Sequence, residues 1–241
     1  AADWAHVPYG NKSPEQIRAR VLAMGQALIN EGCTALVVAC NTATAEAIES
    51  LRTTHPTIPI VGVEPGVKPA SLNSKSGQIA VLATAATSKS QRLAQLIERY
   101  ASDRIVHVIP CHGWATEVEA LNLSAPTIIQ EAEKTLLPLI DQGVDQVVLG
   151  CTHYDFLAPT LSRLVGGRAQ LVGVAGAVAR QACKVAGAEI FTGSGNIRLF
   201  ATANPARLKA ALPVLGLSAL APRQTLGPSL LVTDPQPTSG K

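Results

Sequence analysis

The sequence predicts an α/β protein built on parallel sheets, and three observations predict it. Six short apolar runs, at 35–39, 58–63, 79–83, 105–109, 144–149 and 170–174, have strand length without polar alternation, the mark of strands covered on both faces. Longer segments of helical period separate them, as where crossover helices join parallel strands. One local device also occurs twice. Leu36-Val37-Val38-Ala39-Cys40-Asn41-Thr42 and Val147-Val148-Leu149-Gly150-Cys151-Thr152-His153 each run from a buried strand through a cysteine into short polar residues that open a helix. The echo predicts two similar α/β halves related by an approximate twofold. Each would present one cysteine at the carboxyl end of a strand, the edge at which open α/β sheets bind ligands.

The helices follow from caps and period. Ser13 is an N-cap, Pro14 occupies the first helical position, and Gln16 completes a capping box. Ile17, Val21, Leu22, Leu28 and Ile29 form the apolar face of that helix. Further helices are expected at 90–100, 127–142, 155–165 and 175–186. Beyond about Leu217 the period fades among Pro222, Pro228, Pro235 and Pro237, which predicts a loosely held tail.

Composition narrows the partners. A chain of 241 residues, 47% hydrophobic and 15% charged, can bury a sizeable core. Its net charge of +3 comes from scattered basic residues, with no stripe that could track phosphates, so nucleic acid is not expected as a partner. The apolar runs fall far short of the roughly 20 residues that span a bilayer, and the amino terminus lacks a basic-then-apolar signal. No membrane association is expected, and the location expected is the cytoplasm. Five cysteines, at 33, 40, 111, 151 and 183, form no CxxC pair. They read as free thiols in a reducing compartment rather than as disulfides or a zinc site.

A free cysteine is ordinarily a small buried hydrophobe; the repeated placement of Cys40 and Cys151 argues for more. A thiol of ordinary pKa, about 8.5, is a poor base at neutral pH, and unpaired N–H groups at a helix start favour its thiolate. Asn41, Thr42 and Thr152, with those N–H groups, would receive carboxylates. Two acid–base groups on opposite sides of one carbon are the minimal apparatus for inverting it: one begins as thiolate, the other as thiol. Other cysteine chemistries fit less well. A phosphatase loop would need an arginine where Glu46 stands, and His153, two residues from Cys151, is placed to assist that thiol rather than to build a separate triad. His6, His55, His107 and His112 have no comparable context.

No cofactor or metal is expected. Gly173-Val174-Ala175-Gly176 lacks the GxGxxG spacing of a dinucleotide loop and reads as close packing between strand and helix. Gly193-Ser194-Gly195 reads as a turn, and no lysine is set apart for a pyridoxal Schiff base.

These residues resemble the glutamate racemases, of the aspartate/glutamate racemase family. The resemblance rests on DWAHVPYGNK (3–12), ACNTATA (39–45), VGVEPGVKPA (61–70), VLATAATSKS (81–90) and VVLGCTHYDFL (147–157), and extends to about residue 215. The histidine after Gly150-Cys151-Thr152 is similar to glutamate rather than aspartate racemases. The resemblance implies two flavodoxin-like halves, 1–65 with 178–215 and 66–177, a flexible tail at 216–241, and a homodimer. It implies cofactor-independent interconversion of L- and D-glutamate for peptidoglycan. Cys40 would take the α-proton of D-glutamate and Cys151 that of L-glutamate. Tyr9, Gly10, Asn41, Thr42, Thr152 and His153 would contact substrate, and His153 with Glu119 would assist Cys151.

Three departures accompany the resemblance. Family members open with a strand ending in Asp-Ser-Gly-Val-Gly-Gly, and this sequence begins after it. The first half is therefore expected to lack its opening strand: either the sequence is a shortened form of a longer protein, or that half is altered. Gly173-Val174 stands where the family commonly has a second Asp-Ser pair, and Asp155 replaces a usual proline. Two other readings stay open: a related two-cysteine racemase for another acidic amino acid or a hydantoin, and a non-catalytic remnant that binds a ligand or partner.

Overall fold

The computed structural model describes residues 1–187 and 195–226. In chain order its first elements are α1 (Pro14–Asn30), β1 (Leu36–Val38), α2 (Asn41–Thr54), β2 (Ile60–Gly62), α3 (Val67–Asn73), β3 (Gln78–Ala83), α4 (Ala85–Ser88) and α5 (Gln91–Ala101). Next come β4 (Ile105–Pro110), α6 (Trp114–Glu119), α7 (Pro126–Asp141), β5 (Gln146–Leu149), α8 (Ala158–Val165) and β6 (Gln170–Val172). The chain then adds α9 (Ala175–Ala186), β7 (Ile197–Leu199), α10 (Pro205–Val214) and β8 (Gln224–Leu226). The fold class is mixed α/β with parallel sheets, as the sequence predicts. Two compact units divide it: Ala1–Val38, Glu46–Val61 and the described residues from Arg180 onward form the first, Ala39–Ala45 with Gly62–Ala179 the second.

The second unit is built on a four-stranded sheet of order β4-β3-β5-β6, parallel throughout, with Ala80 opposite Val147 and Val148 opposite Val172. Its four strands thus follow the 2-1-3-4 order of a doubly wound fold. Side chains of β3 and β5 alternate between two cores. Ala80, Leu82, Val147 and Leu149 pack with Trp114, Ile128, Leu136 and Leu161 on one face; Ile79, Val81, Ala83 and Val148 pack with Val67, Ala70 and Leu93 on the other. Both faces are covered, so these strands carry no polar alternation in sequence. Not every run expected to be buried is covered: β4 and β6 lie at the sheet edges, Ile105 of β4 is 57% exposed, and Val37 of β1 is exposed.

Gly150 sets how closely the strand end that carries Cys151 approaches β3. Its N–H donates to the Leu82 carbonyl at 2.7 Å, and a Cβ there would lie 2.6 Å from that same oxygen. A backbone carbonyl cannot swing aside as a side chain would. Gly150→Ala is therefore expected to force the Cys151 turn off β3 and cost about 1–3 kcal/mol of stability, read as a lower denaturant midpoint.

In the first unit, β1 and β2 form a two-stranded sheet, β7 and β8 pair in parallel, and Ala2 bridges Ala201. Helix α1 begins with the expected capping box, Ser13 accepting from the Gln16 N–H and Gln16 from the Ser13 N–H. Its buried side includes Arg20, which the apolar pattern did not mark. Arg20 makes a two-pronged contact with buried Asp3, Nε to Oδ2 at 3.0 Å and Nη2 to Oδ1 at 2.8 Å. Tyr9 and Thr202 donate their hydroxyls to the same carboxylate, at 2.6 and 2.8 Å.

The structure corrects two boundaries. The segment Ala39–Ala45, drawn from sequence with the first half, packs in the second unit, where Thr42 bonds to Thr84 and Thr87 and Thr44 accepts the Val63 N–H. The extension beyond Leu217 is not all loosely held, since a 3-10 helix, Ser218–Arg223, leads into β8. A three-residue strand is too short to leave a period in sequence. Residues 227–241 and the turn expected at Gly193-Ser194 lie outside the described residues.

Candidate active site

Cys151 follows Gly150 at the carboxyl end of β5 and caps a 3-10 helix, Thr152–Leu157. It is buried. The His153 ring turns back toward it, with Nδ1 3.6 Å from Sγ, while Nε2 lies 2.7 Å from Oε1 of Glu119, the last residue of α6. With Glu119 ionised, Nε2 carries the proton given to that carboxylate and Nδ1 accepts from the Cys151 thiol. A proton leaving the sulfur would make an imidazolium that Glu119 holds. Tyr154 backs the turn: its hydroxyl donates to the Cys111 carbonyl at 3.2 Å and its ring meets Trp114 edge-on at 5.4 Å.

Cys40 stands just before α2. The Ala43 N–H donates to its sulfur at 3.4 Å, and Thr42 adds a backbone and a hydroxyl donor. The Thr42 hydroxyl lies 3.0 Å from those of both Thr84 and Thr87, and Thr84 donates to Thr87 at 3.1 Å. One assignment uses each proton once: Thr84 to Thr87, Thr87 to Thr42, Thr42 to the Cys40 sulfur. Asn41, next along, is buried, and among the described residues neither its amide oxygen nor its nitrogen has a partner. Buried amides are normally satisfied, so this one is suited to a polar ligand. The two cysteine turns are tied together, the Thr152 hydroxyl donating to the Ala39 carbonyl at 3.0 Å.

Electrostatics differ from the sequence expectation in sign. Burial pushes the Cys40 thiol above its ordinary range, with the Ala43 and Thr42 donors opposing. Burial pushes Cys151 up to about 12, the charge of Cys40 adds to this, and the N–H groups of His153 and Tyr154 oppose. The backbone donors are where the sequence puts them, but removal from water outweighs them, and a 3-10 turn rather than an α-helix follows Cys151. Mutual repulsion of the sulfurs disfavours two thiolates, leaving thiolate with thiol as the charged state of the pair.

A family model described as Asp/Glu/Hydantoin racemase matches residues 2–182. The chain belongs to the Asp/Glu/hydantoin racemase family. It is 43% identical over 217 residues to the glutamate racemase of Pseudomonas aeruginosa, covering 89% of this chain and 82% of that protein. It is 40% identical over 217 residues to that of Pseudomonas putida, with the same coverage, 89% and 82%. Among solved structures it resembles Escherichia coli glutamate racemase in complex with L-glutamate and the activator UDP-MurNAc-ala, with TM-score 0.79, 28% identity, and 95% and 87% of the two chains covered.

Within this racemase-family chain, Cys40, Asn41, Thr42, Glu119, Cys151, Thr152 and His153 all fall in the second unit. Tyr9 and Gly10 lie in the first, on a 3-10 turn, with the Tyr9 hydroxyl committed to Asp3. Thr84 and Thr87 were not singled out from sequence. Thr84 caps α4, a short helix not expected from sequence; only the fold brings both hydroxyls to Thr42. Among the described residues no helix is long and apolar enough to cross a membrane, and no group of three or more His, Cys, Asp or Glu is arranged to hold a metal ion.

Proposed function

We propose that this protein interconverts L- and D-glutamate by two-thiol acid–base chemistry without a cofactor. The observation that carries the reading is the joining of the Cys40 and Cys151 turns through Thr152 and Ala39, beside a buried Asn41 whose amide has no partner among the described residues. In the L-to-D direction the Cys151 thiolate takes the α-proton, leaving a carbanion, and the Cys40 thiol delivers its proton to the opposite face. In the D-to-L direction the roles exchange. Asn41, Thr42, Thr152 and the N–H groups of both turns hold the carboxylates. His153, held by Glu119, receives and returns the Cys151 proton. Oriented donors around a water-poor site stabilise the developing charge. Tyr9 and Gly10 are proposed substrate contacts. A cytoplasmic homodimer that supplies D-glutamate for peptidoglycan completes the proposal; the relatives named glutamate racemase support its substrate.

The test is incubation of the reduced protein with L- or D-glutamate in deuterated water. Deuterium at the α-carbon with appearance of the other enantiomer is expected. Exchange on another acidic amino acid or a hydantoin, with none on glutamate, would reassign the substrate; none on any of them would end the racemase reading. Glu119→Gln leaves an imidazolium without its counter-charge and is expected to slow conversion of L-glutamate about tenfold. Loss of α-deuterium from each enantiomer, followed separately from inversion, checks this. Equal slowing of proton removal from D-glutamate would detach Glu119 from Cys151.

A further inference from the structure

The three threonine hydroxyls beside Cys40 form a closed triangle. Thr42 lies 3.0 Å from both Thr84 and Thr87, and the Thr84 hydroxyl donates to that of Thr87 at 3.1 Å. All three residues are buried, so water is not at hand to complete a bond that the triangle leaves open. Along the two sides that meet at Thr42 either oxygen could donate, whereas the third side runs only from Thr84 to Thr87. That direction fixes the sense of the ring: Thr84 gives its proton to Thr87, and Thr87 gives its own to Thr42. The Thr42 proton is then the one with a choice, toward the Cys40 sulfur or toward Thr84.

We propose that this ring is a two-position switch, in which Thr84 and Thr87 act as positioning residues that let Cys40 be thiolate and thiol in turn through rotation of one hydroxyl, that of Thr42. The inference rests on the reading of Cys40 as an acid–base thiol and concerns the site before substrate enters. With Cys40 ionised, the Thr42 hydroxyl donates to the sulfur, and the Ala43 N–H adds its own bond at 3.4 Å. With Cys40 protonated, the Thr42 hydroxyl turns to Thr84 and closes the cycle, while its oxygen keeps a lone pair for the S–H. Thr84 can take that bond, since its oxygen accepts the Thr87 N–H at 3.2 Å and still has a second lone pair. Every hydroxyl proton is therefore used in both states. Inversion of an α-carbon in either direction takes Cys40 through both, and a ring that satisfied only one would hold the sulfur there. The titratable groups that face Cys40 are Cys151 and, beyond it, His153 with Glu119. The ring itself is neutral.

Thr87→Val tests the switch in the substrate-free protein, because it removes the hydroxyl and keeps the shape. Ionised Cys40 then keeps its donor, with Thr84 giving to Thr42 and Thr42 to the sulfur. Protonated Cys40 leaves one buried hydroxyl proton without an acceptor, so the thiol form is disfavoured. The rate of Cys40 alkylation by iodoacetamide is followed by peptide mass spectrometry from about pH 7 to about pH 10.5. In Thr87→Val its midpoint should fall, and on the acid side Cys40 should react about three to ten times faster than in the native protein. Thr87→Ser, which restores a hydroxyl, should match the native profile. A one-way relay that only supports the thiolate predicts the opposite sign, a raised midpoint and slower reaction. Loosened packing would multiply the rate by one factor at every pH and leave the midpoint in place. A midpoint raised or unmoved in Thr87→Val, including no modification of Cys40 in either protein, would overturn the proposal, as would the same shift in Thr87→Ser. Loss of the racemase reading is separate, because it is judged by deuterium exchange alone.

Discussion

Cys40→Ser and Cys151→Ser are each expected to remove inversion of glutamate, with turnover falling about a hundred- to ten-thousandfold. A serine hydroxyl keeps the size and the donors of the site but is no base near neutrality. The Ala43 N–H would still meet the side chain at position 40, and His153 the one at position 151. The two variants should also fail differently. With Cys151 gone, Cys40 can still remove the α-proton of D-glutamate and return deuterium to the same face; with Cys40 gone, Cys151 can do the same to L-glutamate. Each variant would then show slow exchange from one enantiomer without inversion, read by combining mass spectrometry with chiral chromatography. Near-full inversion by either variant would remove that cysteine from the mechanism.

How much of this was legible in the sequence depended on the range of the interaction. The strands and the α1 cap were readable because period, Pro14 and Ser13 act within a few residues. The two cysteine turns were readable because one local device occurs twice. Glu119 was marked only through resemblance, since its contact with His153 spans 34 positions and leaves no spacing rule. Thr84 and Thr87 were not marked at all, since their contact with Thr42 spans more than 40 positions and local sequence does not encode it. The sign of the thiol shifts was misread for a related reason. A sequence shows the donors at a turn but not how much water the fold removes from the sulfur, and for Cys151 the removal dominates. Arg20 was hidden similarly: it sits among the α1 positions that face inward, and nothing local announces that Asp3 waits there.

Arg20→Ala is expected to cost about 3–5 kcal/mol of stability, the range for stripping one partner from a buried ion pair. Both side chains are 5% exposed, so water cannot replace the guanidinium, and Asp3 would be left with only the Tyr9 and Thr202 hydroxyls. Burial alone would raise the Asp3 carboxyl; the hydrogen bonds from Arg20, Tyr9 and Thr202, with the guanidinium charge, hold it below the ordinary range. A carboxyl lowered on folding adds stability above its unfolded pKa, and that stability is lost as pH falls through the folded value. Chemical denaturation between neutral and acid pH should therefore show a steep loss in the native protein and a shallower one in Arg20→Ala, which starts lower. Arg20→Lys, a single charge without the two-pronged fork, should fall between them. Replacing Asp3 and Arg20 together by Leu and Met should recover much of the loss, because the penalty lies in the charge left unpaired rather than in the absence of the pair. An Arg20→Ala protein as stable as the native one across that range would show that Asp3 finds a partner elsewhere. Tyr9 then becomes the residue to follow, since its hydroxyl is held by the same carboxylate oxygen that Arg20 Nε reaches. Any rearrangement that rescued Asp3 would move the side chain proposed to meet substrate.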